Sequence, residues 1–111
     1  MTLTGFSPTL ASVRYDIELT RNAEQDYLSL DARWRANIKA ALEVHLRHEP
    51  TKQSKSRIKR LRELDQPQYR LRVDEYRIFY DVTEALVIVH AIVPKDEADA
   101  WLAQFGVKSN D

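Results

Sequence analysis

The stretch YRLRVDEYRIFYDV, from Tyr69 to Val82, decides the fold of this chain. Apolar and polar residues alternate on both sides of Asp74-Glu75, a pattern typical of two antiparallel strands joined by a tight turn. The apolar face of this strand pair is formed by Tyr69, Leu71, Val73, Tyr76, Ile78, Tyr80 and Val82. The opposite face is formed by Arg70, Arg72, Arg77, Phe79 and Asp81. We therefore expect one buried side and one exposed side whose three arginines suit a phosphate-rich partner.

Residues before this strand pair predict a strand and a helical hairpin. Alternation over residues 13–20 (VRYDIELT) indicates a half-buried strand. Thr20 or Asn22 can cap a helix that runs to about Leu30, and Asp31 can cap a second helix that ends near His48. The connection between the two helices is very short, so we expect them to pack antiparallel against the sheet.

Residues around and after the strand pair predict two more strands and a short helix. Residues 58–64 (IKRLREL) are interpreted as a strand, and residues 86–93 (LVIVHAIV) as a central strand covered on both faces. Pro94 ends this run, and Asp96 and Glu97 then open a C-terminal helix that Gly106 stops. The apolar stripe of that helix is Ala98, Trp101, Leu102 and Phe105.

The expected fold is α+β, with an N-terminal strand, a helical hairpin, a mostly antiparallel four- to five-stranded sheet and a short C-terminal helix. Residues 1–12 are interpreted as a flexible N-terminal extension, residues 13–106 as a single domain and residues 107–111 as a C-terminal tail. A chain of 111 residues has room for one core of this kind.

Composition restricts the function classes. The absence of cysteine excludes disulfides and thiolate metal sites. No apolar run approaches the length of a membrane span and the N-terminus is a poor signal peptide, so we expect a cytoplasmic protein without a membrane partner. The net charge of zero conceals a basic middle, because residues 47–77 carry ten basic and five acidic residues.

The order of elements, the sequences YRLRV and YRIFYDV, and the closing IVPKDEADAWL together resemble the RelE/ParE superfamily of bacterial type II toxins. The resemblance covers Val13 to about Leu102 and implies a RelE-like fold and a cognate antitoxin as partner. RelE-type members cut messenger RNA in the ribosomal A site, by attack of a ribose 2′-hydroxyl on the adjacent phosphate. ParE-type members inhibit DNA gyrase instead. We expect the RelE-type activity, an mRNA interferase, with the ParE-type activity as the alternative.

The resemblance also implies site residues. Tyr69 to Arg72 match the Tyr-basic-apolar-basic strand of RelE-type members, and Tyr76-Arg77 match the Tyr-Arg pair of the next strand. Arg70, Arg72 and Arg77 are accordingly expected to be catalytic, by binding and stabilising the scissile phosphate. In the region where RelE-type members place an arginine and a tyrosine, this chain has Lys95, Asp96, Trp101 and Leu102.

Further residues are expected to bind RNA or the ribosome, namely Lys52, Lys55, Arg57, Lys59, Arg60, Arg62, Phe79 and Lys95. Phe79 lies on the arginine face, where it either stacks on a base or is covered by the C-terminal helix or the antitoxin. Cleavage also needs a base for the 2′-hydroxyl, and the candidates are Asp81 and Lys59.

The three histidines are interpreted as structural. His45 and His48 have no third ligand nearby in the sequence, so we expect no metal site and no cofactor. His90 lies within an apolar run, which predicts core packing.

Overall fold

The computed structural model describes residues 13–109, which form the expected α+β fold. The expectation for residues 1–12 lies outside this range. The strands are β1 (Asp16–Leu19), β2 (Ile58–Arg60), β3 (Leu64–Gln66), β4 (Tyr69–Val73), β5 (Tyr76–Thr83), β6 (Leu86–Pro94) and β7 (Val107–Lys108). The α-helices are α1 (Arg21–Ser29), α2 (Ala32–Ala41) and α3 (Ala98–Phe105). A π-helical turn, Leu42–Leu46, continues α2, and a 3₁₀ turn, Lys95–Glu97, precedes α3.

The main sheet has five strands in the order β1-β6-β5-β4-β2. Only β1 runs parallel to its neighbour, and the other pairs are antiparallel, which confirms the predicted fold class. The hairpin of β4 and β5 turns at Asp74 and Glu75, and Val73 pairs directly with Tyr76. Asp74 has φ 51°, a left-handed conformation that aspartate tolerates better than most residues.

Both predicted helix starts are confirmed by their capping bonds. The Thr20 hydroxyl accepts from the backbone N–H of Ala23 at 3.2 Å, and Asp31 Oδ1 accepts from the N–H of Trp34 at 2.9 Å. The second helix ends differently from the expectation, because regular α-helix stops at Ala41 and the wider π-helical turn follows. Leu46, four residues after Leu42, is buried in the core, while His45 is only half-buried.

The larger core lies between the helices and the sheet. It buries the apolar face of β4 and β5 as predicted, together with Ile38, Leu42 and Leu46 from the helical segment. Tyr80 at its centre is fully buried, and its hydroxyl donates a 2.6 Å hydrogen bond to the carbonyl of Pro50. This bond ties β5 to the loop that follows the π-helical turn.

A smaller core lies on the opposite face of the sheet, under α3. Phe79 is fully buried there, and its ring stacks on Trp101 with centroids 5.0 Å apart and planes 4° apart. Of the outcomes expected for Phe79, the structure shows cover by the C-terminal helix, since α3 lies over this part of the sheet. The rest of the face has no such cover, so β6 is continuously buried only from Ala91 to Val93.

The segment expected to form one strand over residues 58–64 is divided. β2 ends at Arg60, the chain turns, and β3 begins at Leu64. β3 pairs with β7, so residues beyond Gly106 form a second, two-stranded sheet. Gly106 ends α3 as predicted, and a Cβ at this position would lie 2.6 Å from the Leu102 carbonyl oxygen. None of the helices in the part of the chain described is long and apolar enough to cross a membrane.

Replacement of the buried tyrosine tests the tie between β5 and the Pro50 loop. We expect Tyr80→Phe to lower the free energy of unfolding by about 1–3 kcal/mol, because the Pro50 carbonyl is left buried without its donor. Urea unfolding measures the loss. Tyr27→Phe is the matched control, since Tyr27 packs on the same core and its hydroxyl has no partner among the described residues. Equal losses of unfolding free energy in Tyr80→Phe and Tyr27→Phe would show that the hydrogen bond to Pro50 does not stabilise the fold.

The Asp26 carboxylate on α1 accepts a hydrogen bond from the edge of β6, beyond the last residue that pairs with β1. β1 pairs with β6 only as far as Val89, and the next free edge N–H of β6, that of Ile92, donates to Asp26 Oδ2 at 3.0 Å. Burial raises the pKa of the Asp26 carboxyl above its ordinary value of 3.8, while the hydrogen bond from Ile92 acts in the opposite direction. The folded state therefore holds this proton more tightly than the unfolded state. The resulting stabilisation is present at low pH and is lost as the pH rises through the raised pKa.

We expect Asp26→Asn to be more stable than the parent at neutral pH, because the amide oxygen can accept the same bond without burying a charge. The advantage should shrink as the pH falls and be lost below 3.8, where the parent carboxyl is protonated in both the folded and the unfolded state. Urea unfolding across this pH range measures it. Asp65→Asn, at an exposed position, serves as the control. An Asn advantage that is constant with pH would show that the charge of Asp26 is not its source.

Candidate nucleic-acid interface

Strand register gathers four basic side chains on the uncovered part of the outer face. Arg72 of β4 lies directly opposite Arg77 of β5, and Lys59 of β2 lies directly opposite Arg70. Residues paired in this way share one face of a sheet, so the four cations extend across three adjacent strands. We call Lys59, Arg70, Arg72 and Arg77 the basic face. The structure thus brings together the three arginines that sequence reasoning selected.

Within the described part of the chain, the arginines of this face have no carboxylate partner. Burial lowers the pKa of Arg70, the charges of Arg77 and Arg72 lower it further, and the charge of Asp99 acts in the opposite direction. The Nε of Arg70 is buried without a hydrogen-bond partner. Crowded positive charge makes this surface suited to an anion such as phosphate.

The hairpin turn holds Arg77 in position. Its Nη1 donates to the carbonyls of Asp74 and Tyr76, both at 2.9 Å, so one end of the guanidinium is fixed. Lys95 lies at the same end of the hairpin, where its N–H donates to the Glu75 carbonyl at 2.8 Å. The Lys95 ammonium is 3.4 Å from the Glu75 carboxylate, so this predicted cation is already paired.

Two other predicted basic residues point away from the basic face. Arg60 lies opposite Tyr69, and its guanidinium carbon is 5.2 Å from the centre of that ring on the helix side of the sheet. Arg57 lies near His45, whose pKa is lowered first by burial and then by the charge of Arg57. Neither side chain lies beside the arginines of the basic face, because β2 turns alternate side chains to opposite faces and Arg57 precedes the strand.

The remaining predicted binding residues lie around the sheet edge. Lys52 and Lys55 are exposed on the loop before β2, where Lys52 is 3.6 Å from Glu49. Arg62 is exposed and lines an open groove of about 450 Å³ together with Lys59 and Leu102. Of the eight residues expected to bind RNA or the ribosome, only Lys59 belongs to the basic face, and Phe79 is buried beside it.

Sequence reasoning missed a carboxylate–histidine pair on the same side of the sheet. His90 Nε2 lies 2.8 Å from Asp81 Oδ2, and the other carboxylate oxygen accepts from the Gln68 N–H at 2.7 Å. A carboxylate only accepts, so Nε2 of the imidazole donates and Nδ1 of the neutral ring is left as an acceptor. Only the polar character of His90 within the run LVIVHAIV signals this role in the sequence.

A β-bulge brings the two side chains together. Phe79 pairs with Ala91 and Tyr80 pairs with Val89, so His90 is an extra residue without a partner in β5. The bulge brings the imidazole to Asp81, so His90, whose side chain is 17% exposed, belongs to a polar pair and not to the apolar core expected for it.

The carboxylate–histidine pair is separated from the basic face. Phe79 lies between Arg70 in β4 and the bulge in β6, which puts the arginine and histidine backbones about 10 Å apart, two inter-strand spacings. Trp101 covers the space between them by stacking on Phe79. Asp81, a predicted base, is thus engaged elsewhere, whereas Lys59 lies beside the arginines. Within the described range, no group of three acidic or histidine side chains could hold a metal ion.

The arginine pair across β4 and β5 is expected to lower stability. Like charges placed directly opposite on a sheet are unfavourable, and a pair of opposite charges gains about 0.2–1 kcal/mol. Arg72→Glu should therefore raise the free energy of unfolding by about that amount at low salt, and less at high salt. Urea unfolding at two salt concentrations measures it. Lys55→Glu makes the same charge change on a loop, and an equal gain there would contradict the pairing argument.

Comparison with known proteins gives one family. A family model described as ParE toxin of type II toxin-antitoxin system, parDE, matches residues 17–98. No curated protein matches the chain significantly. The matched segment runs from β1 to the first residue of α3 and includes every residue of the basic face.

Proposed function

The chain belongs to the RelE/ParE toxin family of type II toxin–antitoxin systems, and we propose that it stops translation by cutting messenger RNA in the ribosomal A site. Membership in the family implies a cognate antitoxin as partner. The proposed target places the activity in the cytoplasm, and the cleavage step itself requires the message, the ribosome and the residues of the basic face.

The observation that carries the proposal is the uncompensated charge of Arg70, Arg72 and Arg77. Attack of a 2′-hydroxyl on the neighbouring phosphate passes through a pentacoordinate state with added negative charge on the phosphate oxygens. Guanidinium groups fixed beforehand stabilise such charge without reorganising during the reaction. Arg77 is fixed by the hairpin turn, and none of the three arginines forms a salt bridge with a described carboxylate.

Proton transfer needs a further group, since arginine stays protonated and is a poor base. Lys59 is the candidate that the register places directly opposite Arg70. In the proposed reaction the arginines hold the phosphate, Lys59 accepts the proton of the 2′-hydroxyl, and the leaving oxygen takes a proton from solvent.

Inhibition of DNA gyrase is the second candidate function. It is favoured by the matching family model, which is described as a ParE toxin. The separation of the Asp81–His90 pair from the basic face also agrees with a toxin that binds without cutting nucleic acid.

A toeprint assay with the purified chain, programmed ribosomes and a defined message tests the proposal. We expect cleavage within the A-site codon that depends on ribosomes. Arg72→Ala should slow it by about 10²–10³-fold, because one donor to the transition-state charge is lost. Arg72 is exposed, so this variant should keep its fold.

The matched control is Arg33→Ala, which removes an exposed arginine from α2 on the other side of the sheet and should leave cleavage unchanged. An intact message at saturating toxin would overturn the nuclease proposal. A parallel supercoiling assay with purified gyrase would then show whether the second candidate is correct.

A further inference from the structure

A cleft lies beside the carboxylate–histidine pair, on the side of α3 away from the basic face. Its volume is about 210 Å³, smaller than the ~300–1,000 Å³ of sites for drug-sized ligands. The residues that line it come from the start of α1, the corner after β3, the bulge and α3, namely Thr20, Asn22, Gln66, Pro67, His90, Trp101 and Phe105. A single ring system is the ligand size that this cleft suits.

One wall of the cleft is aromatic. The Phe105 and Trp101 rings lie 5.4 Å apart with planes inclined by 39°. The other side of Trp101 rests on the buried Phe79, which fixes its position. Phe105 remains 50% exposed, an unusual state for a large aromatic side chain. An exposed ring backed by a fixed second ring is a stacking surface for a flat ligand.

The rest of the cleft lining is polar, and hydrogen bonds fix the orientation of the His90 side chain. Asp81 holds the imidazole of His90, and the Gln68 N–H in turn holds Asp81, so the ring nitrogen that is not bonded to Asp81 has a set orientation. Thr20 donates to the His90 carbonyl at 3.3 Å and secures the bulge from the other side. The amide groups of Asn22 and Gln66 add both donors and acceptors. This set matches the edge of a nucleobase better than an aliphatic ligand.

We propose that this cleft binds one base of single-stranded RNA whose backbone follows the basic face. The proposal rests on the proposed function for the identity of the polymer. The arginines of β4 and the bulge of β6 are about 10 Å apart, so one strand can reach both by passing around α3. The stacking expected of Phe79 thus falls to Phe105, and His90 contacts the edge of the base.

Trp101 gives a direct readout of base binding. The Trp34→Phe variant leaves Trp101 as the only tryptophan of the chain, since the sequence has two. We expect a short oligoadenylate to quench its fluorescence in a saturable manner. A matched oligomer with the same sugar–phosphate backbone and no bases should bind the basic face without quenching. Equal quenching by the two oligomers would overturn the proposal.

Variants at Phe105 separate stacking from a structural role. In the same background, Phe105→Ala should weaken binding of the oligoadenylate by roughly 5- to 150-fold, and Phe105→Tyr should restore it. Val107→Ala is the matched control, because Val107 is equally exposed nearby and does not line the cleft. Far-UV circular dichroism confirms that each variant is folded. If Phe105→Ala binds as tightly as Val107→Ala, the cleft does not receive a base.

The two proposals fail in different measurements. The fluorescence titration involves neither ribosome nor cleavage, so saturable quenching together with an intact message would contradict the nuclease function alone. Ribosome-dependent cleavage that Phe105→Ala leaves unchanged, together with a flat titration, would contradict the base site alone.

Discussion

The stacking of Trp101 on Phe79 is the contact on which the layout of the outer sheet face depends. It seats α3 on the middle of a face that otherwise carries charged side chains. On one side of α3 lie the four cations of the basic face, of which Lys59 and Arg72 are exposed and Arg70 and Arg77 are partly buried. On the other side the bulged strand, the carboxylate–histidine pair and Phe105 enclose a cleft. A single aromatic contact therefore divides one sheet face into two surfaces of different chemistry.

The parts of this layout that were predictable from sequence are those with local causes. Alternation from Tyr69 to Val82 fixes which side chains of the hairpin share a face, because the side-chain period of a strand is two. Thr20 and Asp31 mark helix starts, because each caps backbone N–H groups within its own helix. Placing three arginines on one face needed only the register that a tight turn imposes.

The parts that were not predictable depend on contacts between distant segments or on irregular backbone. A bulge adds one residue to a strand, and nothing in the sequence LVIVHAIV identifies His90 as that residue. Likewise, the change from α-helix to π-helical turn at Leu42 has no counterpart in the apolar pattern, which continues from Leu42 to Leu46. Burial of Phe79 depends on where α3 packs, so the sequence leaves open whether its ring stacks on a base or is covered by the C-terminal helix or the antitoxin.

Packing also explains why the arginines of the basic face form no salt bridge with the acidic residues of α3 and of the 3₁₀ turn before it. Asp96, Glu97 and Asp99 are all exposed, and Asp99 is near enough to influence Arg70. Burial of a large aromatic side chain gives about 1.5–3 kcal/mol, whereas an exposed ion pair gives about 0–1 kcal/mol. The packing of its aromatic rings therefore determines the position of α3, and the positions of its carboxylates follow from that packing. Because ion pairs do not determine where α3 packs, the arginines remain available to an anion from outside the chain.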